Sequence, residues 1–367
     1  MSKTDFQNGF ALGMASGGVV EVDYVEYPLP QDNYVYYRYP PCNEERYIQI
    51  GVSTIEYGTL NANGYTKVDT MEGVIEDSIY KFTIPAHTKD FIIKLSSMPT
   101  YLQSSAECTE VSCGIVVNPA MFVRSSLYMF TPLTINGFKK ITFNKGFEKQ
   151  QAFGVFNTSS VQTLNLKSVN STNSNNMFAN CLFLNDLQFE EMILANLNST
   201  FSCCISLTTI DCSKITPSGT LINAFFGCSS LKTLDLSSWA SQCSTFTSIN
   251  GLFRFCNKLK TINLSGWDLS RFTIIYDWFD GNESLENIIL NDATLFSASF
   301  SVAKCLKLNS ESIVAIFNAL PTLAEGTTKT LTLNANHKIL QSQVDSANAK
   351  GWTVAGGKVV SEEEYYG

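Results

Sequence analysis

The stretch AFFGCSSLKTLDLSSW, residues 224–239, carries an apolar spacing that recurs along the 367-residue chain. It reads F-x-x-C-x-x-L-x-x-L-x-L-x-x-W, and its L-x-x-L-x-L part occurs seven times with substitutions among apolar residues. Successive first positions are 23, 23, 23, 24, 28 and 26 residues apart. A near-constant period of this length is typical of repeat proteins, in which each repeat buries its apolar edge only against its neighbours.

The repeated positions form columns with one residue per repeat. The L-x-x-L-x-L sets are Phe138/Ile141/Phe143, Val161/Leu164/Leu166, Leu184/Leu187/Phe189, Leu207/Ile210/Cys212, Leu231/Leu234/Leu236, Leu259/Ile262/Leu264 and Leu285/Ile288/Leu290. The flanking columns are Phe178, Phe201, Phe225, Phe253 and Phe279; Cys181, Cys204, Cys228, Cys256 and Asn282; and Val169, Met192, Ile215, Trp239, Trp267 and Ala293. Because x-L-x-L alternates with period two, each set predicts a short strand with one face inward.

This alternation separates buried positions from candidate binding positions. Taken alone, Cys228 is a candidate nucleophile or metal ligand, but its column predicts a buried, unreactive thiol between Phe225 and Leu231. The outward positions of the same strands are our candidate binding face. They are Lys232, Thr233, Asp235, Lys260, Thr261 and Asn263.

The sequence predicts a β-rich protein with a leucine-rich-repeat-like solenoid at its centre. We expect an N-terminal β-rich attachment domain at 1–130 and a solenoid of about seven coils at 131–308. A small α/β capping repeat at 309–357 and an acidic tail at 358–367 would follow.

The N-terminal region lacks the repeat, and its segments VVEVDYVEY, RYIQIGVSTIEY, SIYKFTI and DFIIKL predict strands. The segment PLPQDNYVYYRYPP, residues 28–41, is interpreted as a connection. Its Tyr side chains either pack on an edge strand or form a binding surface. The opening FQNGFALGMASGG, residues 6–18, is interpreted as an arm that docks onto a larger assembly.

The C-terminal region predicts alternating helices and strands. A helix over residues 310–320 would end at Pro321, and TKTLTL would follow as a strand. A second helix, HKILQSQVDSANAK, would end at Gly351 before the strand WTVAG. These elements would cover the last coil, and SEEEYYG would be a frayed terminus.

Composition argues against several classes of protein. The net charge is -8 and the chain has no dense Lys/Arg run, so we expect no nucleic-acid binding. No run of 18 apolar residues occurs, so no membrane insertion is expected. The N-terminus lacks a convincing signal-peptide pattern and is interpreted as mature sequence.

The sequence offers no catalytic, cofactor-binding or metal-binding constellation, and we expect neither a cofactor nor an enzyme. The eleven Cys include no C-x-x-C pair, and Cys108 and Cys113 are either a local disulfide or free thiols. His87 and His337 are interpreted as structural, the latter at the start of a helix. The pairs Glu190/Glu191 and Asp277/Asp280 are the carboxylates available for glycoside hydrolysis. We favour turn positions for the second pair.

The segments FFGCSSLKTLDLSSW and FRFCNKLKTINLSGW resemble the BspA-type leucine-rich repeats of bacterial and phage surface proteins. The resemblance covers about residues 138–308, and the C-terminal segment resembles the ending of such proteins in gut bacteria and their prophages. It implies a non-enzymatic, virion-associated structural or host-surface-binding protein, located in a virion or at an extracellular surface. Other virion proteins would bind the N-terminal domain, and a host protein or glycan would bind the solenoid.

Two other functions stay open at this point. One is a bacterial cell-surface adhesin with the same type of repeat, and the more remote one is a glycan hydrolase. Self-association into a homo-oligomer is also left open by the sequence.

Overall fold

The computed structural model describes residues 28–50, 52–76, 79–87, 89–96, 102–104, 110–113, 140–143, 150–151, 154–157, 161–275, 277–291 and 294–366. Within these ranges the protein is β-rich, as predicted, with several sheets and few helices. Phe138, Cys108, Ala293, the proposed docking arm at residues 6–18 and the predicted strand VVEVDYVEY at residues 19–27 lie outside the described residues.

The N-terminal half contains the longer strands. They are β1 (Val35–Tyr39), β2 (Arg46–Ile50), β3 (Thr54–Asn61), β4 (Gly64–Glu72), β5 (Val74–Glu76), β6 (Ile79–Ile84), β7 (Phe91–Leu95), β8 (Leu102–Ser104), β9 (Glu110–Cys113), β10 (Lys140–Phe143), β11 (Gln150–Gln151), β12 (Thr163–Asn173) and β13 (Asp186–Ala195). Strands β2, β3, β6 and β7 confirm the predictions from RYIQIGVSTIEY, SIYKFTI and DFIIKL.

The C-terminal half has shorter strands and the helices. The strands are β14 (Ile215–Thr220), β15 (Thr233–Asp235), β16 (Phe246–Ser248), β17 (Thr261–Asn263), β18 (Asp268–Leu269), β19 (Asn287–Ile289), β20 (Leu295–Phe296), β21 (Phe300–Ser301), β22 (Lys329–Thr332), β23 (Lys338–Ile339), β24 (Trp352–Ala355) and β25 (Lys358–Val359). The α-helices are α1 (Ser310–Asn318), α2 (Gln341–Ala349) and α3 (Glu362–Tyr366). Cys212–Lys214 and Ser237–Thr245 are 3-10 helices.

The interpretation of the Tyr-rich segment as a connection is wrong, because VYYRY forms the buried strand β1. This strand lies between β7 and β9 and pairs antiparallel with both. Tyr37 and Tyr39 face the main core, while Tyr36 packs on the opposite side with Leu29 and Ile92. Aromatic residues have high β-propensity and large apolar area, so a strand buried on both faces can accommodate a run of them.

The sheet that contains β1 continues into the repeat region. Its order is β16-β14-β13-β12-β10-β9-β1-β7-β3-β4. Pairing is antiparallel from β4 to β9 and becomes parallel where β9 meets β10. Hydrogen bonding therefore runs without a break across the predicted border at residues 130 and 131, and one core cluster extends from Val35 to Trp352.

Neighbouring repeats pair in the register that their columns predict. Leu164 lies opposite Leu187 in β12 and β13, and Leu234 lies opposite Ile262 in β15 and β17. These four residues are buried or half-buried. Successive side chains of a strand point to opposite faces. The neighbours of these four residues along each strand therefore face solvent, while the four residues themselves pack inward.

The Phe column is buried, as predicted, and its rings stack along the repeats. The stacked rings are Phe156, Phe178, Phe201 and Phe225. Consecutive centroids lie 5.4, 5.2 and 5.3 Å apart, with planes inclined by at most 10°. Each Phe therefore packs on the next repeat as well as on its own.

The Trp side chains connect repeats by hydrogen bonds in the interior. Trp239 Nε1 donates to the Cys212 carbonyl at 2.9 Å, and Trp267 Nε1 donates to the Leu236 carbonyl at 2.7 Å. Thr294 Oγ1 donates in the same way to the Leu264 carbonyl at 3.1 Å. Each donor reaches the last apolar position of the preceding repeat, so the buried carbonyl has a partner.

The C-terminal elements follow the predicted order with two corrections. Helix α1 buries Ile313, Ile316 and Phe317, and β22 pairs parallel with β21 and β24. His337 does not start a helix, because the short strand β23 follows it and pairs with β25. The acidic tail is not frayed: it contains β25 and α3.

We expect Phe225→Ala to destabilise the protein by about 3–5 kcal/mol, because it removes a fully buried ring from the stack and leaves a cavity. Denaturant-induced unfolding measures this change. Phe183→Ala is the matched control, since that ring is 56% exposed, and its effect should stay within about 0.5 kcal/mol. Equal unfolding midpoints for the two variants would contradict the stacked arrangement.

Candidate functional site

The Cys column is part of the interior and offers no accessible nucleophile. Each thiol donates a hydrogen bond to the carbonyl of the Phe column in an earlier repeat. The pairs are Cys181 to Phe156 at 2.9 Å, Cys204 to Phe178 at 3.1 Å, Cys228 to Phe201 at 3.0 Å and Cys256 to Phe225 at 3.1 Å. Cys228 is therefore buried, as its column predicted, and its thiol also connects two repeats.

Burial also suppresses the reactivity of these thiols. It raises the pKa of Cys256 to about 12 and the pKa of Cys228 well above its usual value. The same holds for Cys305, whose thiol donates to the Phe279 carbonyl and whose pKa burial raises to about 12. Because the thiolate is the nucleophile and the metal ligand, the column is chemically inert near neutral pH.

Of the two carboxylate pairs considered for glycoside hydrolysis, Asp277 and Asp280 are engaged by an arginine, whereas Glu190 forms an ion pair with Lys167. Arg254 Nη1 lies 3.2 Å from Asp277 Oδ2, and its Nη2 lies 2.9 Å from Asp280 Oδ2. The adjacent Trp278 and Phe279 are about 1% exposed, so neither ring can stack on a sugar. Asp277 has a φ of 60°, typical of a tight turn, and Arg254 ties this turn to the preceding repeat.

Both histidines bind backbone carbonyls. The Nδ1 and Nε2 atoms of His87 lie 2.7 and 3.0 Å from the carbonyls of Pro85 and Pro40. The buried His337 has its Nε2 2.8 Å from the Cys305 carbonyl, and burial lowers its pKa. These contacts give each ring a structural role.

Two outward columns present mostly polar side chains along the repeats, and we call these polar side chains the polar face. The exception is Ile289, the register partner of Asn263, which is 44% exposed. The polar face consists of Lys140, Thr142, Thr163, Asn165, Asp186, Gln188, Thr233, Asp235, Thr261, Asn263 and Asn287. All of these side chains are at least partly exposed. They belong to β10, β12, β13, β15, β17 and β19, and the 3-10 helix at Cys212–Lys214 contacts both β13 and β15.

The six residues of the predicted binding face lie on or beside this surface. Thr233 and Thr261 are register partners, as are Asp235 and Asn263. Lys232 and Lys260 immediately precede β15 and β17, and the Lys260 N–H donates to the Lys232 carbonyl at 2.8 Å. The structure therefore brings all six together, with Thr261 and Asn263 half-buried and the other four exposed.

Hydrogen bonds hold several of these side chains in place. Asp235 Oδ1 accepts from the N–H and hydroxyl of Ser237 at 2.9 and 2.7 Å. Partial burial opposes ionisation of Asp235, but the hydrogen bonds from Ser237 and Asn263 outweigh it and lower its pKa. Lys260 forms a 3.2 Å ion pair with Glu286. This part of the surface presents fixed, charge-bearing groups at neutral pH.

A groove of about 580 Å³ crosses the other end of the polar face, and we call it the N-terminal groove. Its solvent-facing lining is polar and comprises Gln31, Thr142, Asn165, Lys167, Gln188, Glu190, Asp211 and Lys214. The apolar residues behind it include Phe143, Leu166 and Phe189. Gln31 comes from the segment before β1, so two distant parts of the chain build this groove.

Sequence reasoning missed the N-terminal groove, although part of the signal was present. Asn165, Gln188 and Asp211 occupy the same outward column as Asp235, one per repeat. Extending the predicted face along that column would have included them. Gln31 carries no such signal, because its position depends on long-range strand pairing.

Neither a metal site nor a membrane span has a candidate among the described residues. There, no three His, Cys, Asp or Glu side chains converge as a metal ion would require. None of the helices in this part of the chain is long and apolar enough to cross a membrane.

Comparison of the chain with models of known protein families, with curated proteins and with solved structures gave no match.

The adjacent thiols Cys203 and Cys204 should react differently with iodoacetamide in the folded protein. Cys203 is partly exposed, whereas Cys204 is buried. A hydrogen bond with the Cys181 thiol, together with burial, raises the pKa of Cys204. Peptide mapping after labelling at pH 8 should find Cys203 alkylated and Cys204 protected. Both should label in denaturant, and equal labelling in the folded state would contradict the buried column.

Proposed function

We propose that residues 131–308 form a leucine-rich-repeat-like solenoid of the BspA type. The supporting observation is the series of contacts between equivalent positions of successive repeats, including stacked Phe rings and parallel strands in register. In this arrangement residues 309–357 cap one end, and the strands before residue 130 continue the sheet at the other.

We further propose that the protein is a non-enzymatic binding protein whose recognition surface is the polar face. The observation that carries this proposal is the separation of roles within each strand. Inward side chains are buried, while the outward columns present hydroxyl, amide and charged groups over several repeats. A surface of this kind binds through many contacts of modest strength, and presentation in several copies adds avidity.

The carrier that we propose is a virus particle, with the polar face directed at a host surface. This step rests on the resemblance of FFGCSSLKTLDLSSW and FRFCNKLKTINLSGW to repeats of phage and bacterial surface proteins. The N-terminal strands would connect the protein to other virion proteins. Mass spectrometry of purified virus particles from the source should detect this chain, and its consistent absence would contradict the virion location.

The triple variant Lys232→Ala/Thr233→Ala/Asp235→Ala should bind host cells about tenfold more weakly, equivalent to about 1.4 kcal/mol. Its free energy of unfolding should fall by no more than about 1 kcal/mol, because the three side chains are exposed and only the hydrogen bonds from Ser237 to Asp235 are lost. Flow cytometry with the labelled full chain measures cell binding.

A matched control is Lys307→Ala/Ser342→Ala/Asp345→Ala, which removes similar exposed groups from the C-terminal region. It should bind cells as the wild type does. Equal binding of cells by the two triple variants would show that β15 is not part of the recognition surface.

A further inference from the structure

We propose that the N-terminal groove binds a neutral oligosaccharide segment of a surface glycan. This inference rests on the proposed binding function and specifies the chemistry of one subsite. A groove of about 580 Å³ lies within the range of small-ligand sites. Three of its residues, Thr142, Asn165 and Gln188, belong to the polar face, so a polymer could continue from the groove along the remaining repeats.

Charge balance is the first argument for a neutral ligand. The charged groups in the groove form two opposite-charge pairs. Lys167 pairs with Glu190, and Lys214 lies 3.4 Å from Asp211. Because each ammonium group faces a carboxylate, the lining has no excess charge for an acidic glycan or a basic peptide. A charged ligand would have to compete with these pairs.

The second argument for a sugar ligand is that the groove contains amide side chains whose hydrogen-bonding groups are available. Within the described part of the chain, the side chains of Gln31 and Asn165 form no hydrogen bond. An amide offers both a donor and an acceptor, and a sugar hydroxyl does the same. Gln188 donates to Asp186 through Nε2 at 3.2 Å, and among the described residues its Oε1 accepts no hydrogen bond. Three amides can therefore bind hydroxyl groups regardless of which way each hydroxyl points.

The spacing of the strands favours a glycan over an extended peptide. Thr142, Asn165 and Gln188 are successive register partners across β10, β12 and β13. Neighbouring strands lie about 4.8 Å apart, comparable with the length of one pyranose unit, so successive sugars could meet equivalent side chains. An extended peptide advances about 3.3 Å per residue and would lose this correspondence after one strand.

Titration calorimetry of the full chain with cellotriose, maltotriose and trisialic acid tests the inference. We expect at least one neutral trisaccharide to bind and trisialic acid not to bind. Asn165→Ala and Gln188→Ala should each weaken that binding about fivefold, as expected for the loss of one hydrogen bond. Gln341→Ala removes an exposed amide from α2 and should leave the affinity unchanged. A tenfold increase in NaCl should also leave it unchanged, since the ligand is neutral.

Cell binding separates failure of this inference from failure of the proposed function. Periodate treatment of the host cells, which cleaves vicinal diols, should abolish binding, and protease treatment should not. Binding that survives periodate but not protease would overturn the glycan inference and identify a protein partner. Binding to trisialic acid, or equal affinity of Gln188→Ala and wild type, would also overturn it. A chain that binds neither cells nor any trisaccharide would contradict the proposed function as well.

Discussion

The distance between successive repeats is fixed at the corner formed by the Phe and Cys columns, and the rest of the repeat region depends on it. The N–H of Phe201 donates to the Ala224 carbonyl of the next repeat at 2.8 Å. The carbonyl of Phe201 accepts from the Cys228 thiol at 3.0 Å. The N–H and the carbonyl of the buried Phe201 are thereby both hydrogen-bonded. Burying these two groups without partners would cost a large desolvation free energy. The same two contacts hold the rings of Phe201 and Phe225 5.3 Å apart, within the range of favourable aromatic stacking.

The longer repeats show how this constraint is met when the period changes. The 28-residue interval after Leu231 accommodates the 3-10 helix Ser237–Thr245, and Trp239 from this helix packs against Phe225. Its indole N–H donates to the Cys212 carbonyl, as the Trp267 indole donates to the Leu236 carbonyl one repeat later, so the buried carbonyl has a partner although the interval is longer. Asn282 replaces Cys in the following repeat. Its Oδ1 accepts from the Cys256 N–H and its Nδ2 donates to the Trp278 carbonyl, so an amide performs the bridging otherwise done by a thiol.

Periodicity made the repeat region predictable, whereas pairings between distant segments could not be read from the sequence. The burial of Phe178, Phe201 and Phe225 followed from their columns, because an apolar residue repeated at fixed intervals must share one environment. The central position of β1 in the sheet could not be predicted from the sequence, because Pro28 and Pro41 on either side of it are typical of a surface connection. For the candidate site, the outward positions Thr233 and Asp235 were predictable from strand alternation. The groove was not, because Gln31 reaches it only through the pairing of β1 with β9 and of β9 with β10.

Stability and recognition depend on different atoms of the same strands, and this separation bears on how the surface could change. The inward atoms of β12 and β13 are constrained by two neighbours each, so a substitution there affects three repeats. The outward side chains of Asn165 and Gln188 contact solvent, and replacing them leaves the buried columns intact. A chain built in this way could change its ligand by substitutions along one column without changing its fold. Gln31 is the exception in the groove, since its placement requires the N-terminal strands to be joined to the repeats. The N-terminal groove is therefore the part of the polar face whose binding geometry is most restricted, because its shape also depends on strands outside the repeats.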